Sequence, residues 1–144
     1  MRHRCTCHGS RGGHAYVVVK SDQRPTTCAE ALLEAAAWFA DRGARIDRSP
    51  NYTWWPPFPK AVASIGAAHK LTRPYRPQTN GKAERSIQTM LAEWAYVRFY
   101  RSDEERLRAL PKWLRFYNAK RPHSQLKNRA PGACVVNNVL GNYI

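Results

Sequence analysis

Glu84 is a carboxylate set among cations. It closes the run Arg73-Pro74-Tyr75-Arg76-Pro77-Gln78-Thr79-Asn80-Gly81-Lys82-Ala83-Glu84, with Arg85 next and Lys70 just upstream. An acid surrounded by Lys70, Arg73, Arg76, Lys82 and Arg85 suits a place where a divalent metal meets a phosphate. Tyr75 could stack on a base or simply wedge the loop. Gln78 and Asn80 could position a nucleic acid or only cap a helix. The same basic residues could equally form a solvated face.

The elements that must position Glu84 follow from local rules. Pro74 and Pro77 fix φ and disfavour helix in the residues before them. Thr79 or Asn80 can cap a helix, and Gly81 permits a tight turn into it. Ala83, Ile87, Met90, Leu91 and Trp94 then recur at helical spacing. They predict a helix of roughly residues 80–97 with one buried stripe. Glu84 lies just off that stripe, so its carboxylate can reach a cleft beside the core.

Pro77-Gln78-Thr79-Asn80-Gly81-Lys82-Ala83-Glu84-Arg85 resembles the third-acid motif of insertion-sequence transposases of the retroviral-integrase type. Trp113-Leu114-Arg115-Phe116-Tyr117-Asn118, then Arg121-Pro122-His123-Ser124, Leu126 and Pro131, resembles the C-terminal signature of the same family. The resemblance runs from about His14 to Pro131. It implies an RNase H-like core in which three acids (Asp, Asp, Glu) hold two divalent metals, Mg²⁺ or Mn²⁺, for DNA strand transfer. Glu84 would be the catalytic and metal-binding third acid. Lys70, Arg73, Tyr75, Arg76, Gln78, Asn80, Lys82 and Arg85 would contact DNA.

Two-metal phosphoryl transfer needs several carboxylates converging on cations about 4 Å apart. The family's first Asp falls near Gly9 or Ser10, and residues 1–20 contain no acid. Its second falls near Arg48, where Asp47 is one position off. A one-residue shift in a strand turns a side chain to the other face. Two of three acids are therefore missing from their expected places. The expectation is an inactive, truncated and rearranged copy, binding DNA alone or as a subunit of a homo-oligomer or a full-length transposase. The rival readings are a non-catalytic nucleic-acid-binding module and a decayed reading frame.

Composition agrees with a polyanion partner. The 144 residues carry 24 Lys and Arg against 10 Asp and Glu, a net charge of +14, which favours DNA or RNA. No apolar run approaches the roughly 20 residues of a membrane span, and there is no apolar signal region at the N-terminus. These absences and the resemblance suggest a bacterial cytoplasmic protein. Cys28 and Cys134 read as buried or incidental thiols. Cys5-x-Cys7, with His3 and His8, is too tightly spaced for a structural zinc site.

The expected fold class is α/β: an incomplete RNase H-like fold, with a mixed sheet flanked by helices and a helical C-terminal part. Residues 1–13 read as a disordered basic leader, 14–118 as a partial catalytic core and 119–144 as a family tail. His14–Lys20, Ala44–Arg48 and Ala68–Thr72 read as strands. Thr27-x-x-Glu30 reads as a capping box opening a helix to Asp41, with Ala29, Leu32, Leu33, Ala36 and Ala37 buried. Lys60–Ala67 reads as a short helix. Ser102-x-x-Glu105 reads as a second capping box, before a helix burying Leu107, Leu110, Leu114 and Tyr117 that Pro111 kinks or restarts. Arg121 and His123 suggest a structural role, His123 packing the C-terminal segment onto the core. Trp54 and Trp55, in a proline-rich stretch, read as exposed.

Overall fold

The computed structural model describes residues 4–8, 14–46, 48–50, 55–70 and 81–134, with only the backbone given for 4–8, 48–50, 69–70, 81–83 and 125. In chain order the elements are β1 (Arg4–His8), β2 (Ala15–Val19), α1 (Pro25–Ala40), β3 (Arg48–Pro50), α2 (Phe58–Ser64), β4 (Ala68–Lys70), α3 (Gly81–Met90) and α4 (Asp103–Ala119). A π-helical segment, Leu91–Ala95, prolongs α3.

β2 is the centre of the molecule because its side chains alternate between two cores. Tyr16 and Val18 pack on a cluster built from α1 and α2, with Phe39, Leu32, Phe58 and Val62 inside it. Val17 and Val19 face the opposite cluster, formed by Met90, Trp94, Ala95 and Leu110 of the α3–π segment and α4. The period of two along a strand makes one short segment serve two helical layers. Complete burial of Phe39, Phe58 and Trp94 contributes about 1.5–3 kcal/mol for each side chain.

The pairings have both senses. β1 runs antiparallel to β2, with Thr6 opposite Val17, and β3 runs parallel to β4, with Ser49 opposite His69. They form two separate two-stranded sheets among the described residues. The expected disordered leader departs from the structure at Arg4–His8, which take their place as the partner of β2. Strand β3 begins at Arg48, later than expected, yet Ile46 is buried as expected.

α1 corrects two local expectations. It begins at Pro25, and Arg24 occupies the cap position without a side-chain hydrogen bond. The fixed φ of proline suits the first helical position, so Thr27 sits inside the helix and its capping box does not form. Ala29 and Leu32 are buried as expected, together with Cys28, Ala31, Ala35 and Phe39, while Leu33 is 43% exposed and Ala37 is exposed. The large Phe39 side chain rotates the stripe by about one residue relative to the small alanines. At the C-terminal end Gly43 has φ 68°, a left-handed conformation that costs glycine little.

In α4, Ser102 Oγ accepts the Glu105 N–H at 3.2 Å, and the Glu105 carboxylate accepts the Arg101 N–H at 2.8 Å. The expected box therefore closes one residue further back. The helix runs unbroken through Pro111, because buried Leu110 and Tyr117 anchor the turns on both sides of that exposed residue. Trp55 is 73% exposed, as expected. Trp54 and Asp47 lie outside the described residues.

Candidate nucleic-acid interface

Glu84 occupies the first turn of α3. Unpaired N–H groups and the helix dipole there favour a negative charge by about 0.3–1 kcal/mol. Its side chain is exposed, as is that of Arg85 beside it. Neither makes an ion pair with another described residue. Arg73, Tyr75, Arg76, Gln78 and Asn80 lie outside the described residues, and only the backbone of Lys70 and Lys82 is described. Of the predicted site residues, Glu84 and Arg85 are thus the two whose side chains are placed.

The buried stripe of α3 differs from its sequence pattern. Met90 and Trp94 are 4% and 1% exposed, but Ile87 is 40% exposed. The core beneath this helix begins at Met90, where Val17 and Leu110 meet it. Among the described side chains of α3, burial therefore starts at Met90, and Glu84 lies on the exposed part.

Three contacts fix this helix and its surroundings, and all three come from the C-terminal signature. Arg121 Nε and Nη2 donate to the Glu93 carboxylate at 2.6–2.9 Å. The buried Tyr117 hydroxyl hydrogen-bonds the Ser86 side chain. Ser86 and Glu93 are seven residues apart on the Glu84 helix, and Tyr117 and Arg121 are four apart, so two rungs join the same pair of faces. Asn118 supplies the third contact by pairing with the backbone of Ala15. His123 packs edge-on against Tyr117, with ring centroids 4.9 Å apart.

These surroundings shift the titration of the groups they enclose. Burial, and then Arg121, holds His123 below its ordinary value. Burial, and then Arg42, does the same to His14. Burial pushes the Tyr117 phenol up, and the hydrogen bond to Glu93 strengthens the charge on Arg121. Sequence patterns singled out Tyr117, Asn118, Arg121 and His123, but not Ser86, Glu93 and Ala15. No local signal marks those partners, because each contact closes over a long stretch of chain.

Among the described residues no three His, Cys, Asp or Glu side chains are grouped to hold a metal. Several carboxylates are already paired: Glu34 with Lys20, Glu93 with Arg121, Asp103 with Arg106 and Glu105 with Arg98. A separate cavity of about 440 Å³ lies between β2, α1 and α4, lined by His14, Trp38, Leu114 and Arg115 among others and by nothing from α3.

Comparison with known proteins identifies the scaffold that carries Glu84. The integrase core domain family matches residues 65–131. Residues 65–131 are thus similar to that family. The fold agrees with that match. The catalytic core domain of BIV integrase superposes with a TM-score of 0.66 at 14% identity, covering 98% of this chain and 96% of that one. The simian T-cell lymphotropic virus intasome in complex with PP2A regulatory subunit B56 gamma gives 0.65 at 15% identity, covering 93% of this chain. The chain spans 52% of the length of that second protein. The described α/β elements thus share the RNase H-like fold of integrase catalytic cores. No helix among the described residues is long and apolar enough to cross a membrane.

Proposed function

We propose that this integrase-core protein binds DNA and belongs to the transposition and integration class, without strand-transfer activity of its own. The observation that carries the reading is the exposed Glu84 at the start of α3, inside the matched residues and directly after a basic stretch. Lys70, Arg73, Tyr75, Arg76, Gln78, Asn80, Lys82 and Arg85 are the proposed DNA contacts, and the net charge of +14 supports a polyanion partner. A homo-oligomer or a full-length transposase would be the protein partner.

A pair of divalent metals needs several converging carboxylates. Among the described residues no group of three or more His, Cys, Asp or Glu stands at Glu84 or elsewhere. The described donor set does not fit two Mg²⁺ or Mn²⁺ ions, so the proposed activity stops at binding. Glu84 would be the remaining ligand of a site that is otherwise lost.

The test is nicking and strand transfer on supercoiled and short duplex DNA with Mg²⁺ or Mn²⁺, beside Glu84→Gln. The expected result is no cleavage from either protein, with duplex binding that weakens steeply as salt rises. The double change Arg73→Ala, Arg76→Ala should weaken binding and flatten the salt dependence. Wild-type cleavage that disappears in Glu84→Gln would overturn the inactive assignment. Aggregation without a cooperative thermal transition would instead favour a decayed reading frame.

A further inference from the structure

Between the π segment and α4 the chain reads Tyr96-Val97-Arg98-Phe99-Tyr100-Arg101. Phe99 is 89% exposed, Tyr96 66% and Val97 58%. Three large apolar side chains in water within four residues form a patch, and such patches mark interaction sites.

The loop is held firmly while it displays them. Tyr100 between them is buried, and its hydroxyl donates to the Trp94 carbonyl at 2.9 Å. The Arg101 N–H is bound by Glu105, whose carboxylate also pairs with Arg98 at 2.8 Å. The Arg98 guanidinium lies 4.5 Å from the Tyr100 ring centroid, and Arg106 sits 5.8 Å from that of Tyr96. A loop backbone held in place before binding loses little freedom on binding. The Arg101 side chain is exposed and makes no ion pair with a described residue. Glu105 and Asp103 are neutralised by Arg98 and Arg106.

We propose that this loop is a stacking surface for the bases of single-stranded DNA, with Phe99 and Tyr96 as platforms and Arg101 on the backbone phosphate. Flat rings beside an available guanidinium are what unpaired nucleotides require: every base has a π-face, and every linkage carries a negative charge. A fully paired duplex hides its base faces and gains only the Arg101 contact. The inference rests on the DNA-binding reading and adds to it a second contact with a different strand preference.

The experiment compares Phe99→Ala, Phe99→Trp and Arg101→Ala with wild type. The probes are fluorescein-labelled oligodeoxythymidine and a duplex of equal length. Phe99 is so exposed that its loss should leave the melting temperature unchanged. Phe99→Ala should weaken single-strand binding roughly 5- to 150-fold, the range for one lost stacking partner, and leave duplex binding within about twofold. Phe99→Trp should retain single-strand affinity. Arg101→Ala should weaken both probes and lower the salt slope by about one.

Unchanged single-strand affinity in Phe99→Ala, alongside intact duplex binding, overturns the stacking assignment alone. If Phe99→Ala instead shifts the sedimentation of free protein without changing affinity, the patch is a self-association surface and the assignment also falls. If wild type binds neither probe, the DNA-binding reading itself fails.

Discussion

Asn118 and Ala15 lie 103 positions apart and exchange two hydrogen bonds. The Ala15 N–H donates to Asn118 Oδ1, and Asn118 Nδ2 donates to the Ala15 carbonyl, both at 2.9 Å. The side-chain amide acts as a one-residue strand beside β2. It joins the last turn of α4 to the strand on which both cores rest. Asn118→Ala should therefore destabilise the fold by about 2–3 kcal/mol, since Ala15 is buried and its polar groups would lose their partner. Asn118→Asp keeps the acceptor and loses the donor, so it should fall between. Chemical denaturation would measure both.

Arg121 and Glu93 make the second tie. Their side chains are 25% and 35% exposed, so solvent screens the pair and its worth is modest. Arg121→Ala should cost about 1–2 kcal/mol, chiefly by leaving Glu93 without its two-pronged partner. Arg121→Lys, a point charge in place of a fork, should recover part of that loss. A double-mutant cycle with Glu93→Gln would check the assignment, because the Arg121 effect should shrink once Glu93 is neutral.

Two enclosed histidines, His14 buried and His123 half-buried, predict acid sensitivity. His14 and His123 are both held below the ordinary value of 6.5 by burial first and a neighbouring arginine second. The unfolded chain then binds protons at a higher pH than the folded one. Stability from these groups is complete above about pH 6.5 and is lost as pH falls from there through the folded values. The melting temperature should drop between neutral and mildly acidic pH. His123→Phe, which fills the same place against Tyr117, should flatten that slope if folding is preserved. His14→Phe provides the independent check.

The cap of α4 provides a local test. Ser102→Ala removes the acceptor for the Glu105 N–H and should cost about 1 kcal/mol. Glu105 is held below its ordinary value by the Arg101 N–H first and Arg98 among the further contributions. Its share of the stability is present above about pH 4.5 and is lost as pH falls below that. Ser102→Ala should still lose stability in the Glu105→Gln background, read by thermal unfolding.

Glu84→Gln should leave duplex affinity unchanged or raise it slightly, because it removes a negative charge next to a basic stretch of sequence. Fluorescence anisotropy across a salt series would show this. A large loss of affinity would mean that Glu84 orders the basic stretch beside it.

The sequence by itself determined the elements whose signals are local. β-Branching marked β2, the serine–glutamate spacing marked the start of α4, and the cap and glycine signals with helical spacing placed Glu84 in the first turn of α3. The integrase-type motifs were legible for the same reason: each is a short run with its own turn chemistry and charge. Tertiary structure decided which face each helix buries and what the signature residues touch. Phe39 rotated the stripe of α1, and Ile87 stayed in water because the core beneath α3 starts only at Met90. Leu110 and Tyr117 carried α4 past Pro111 against a propensity cost of about 3 kcal/mol. Arg121, Tyr117 and Asn118 found Glu93, Ser86 and Ala15 only once the chain had closed. Propensity and capping are set by residues a few positions apart. Burial and polar pairing are set by neighbours in space.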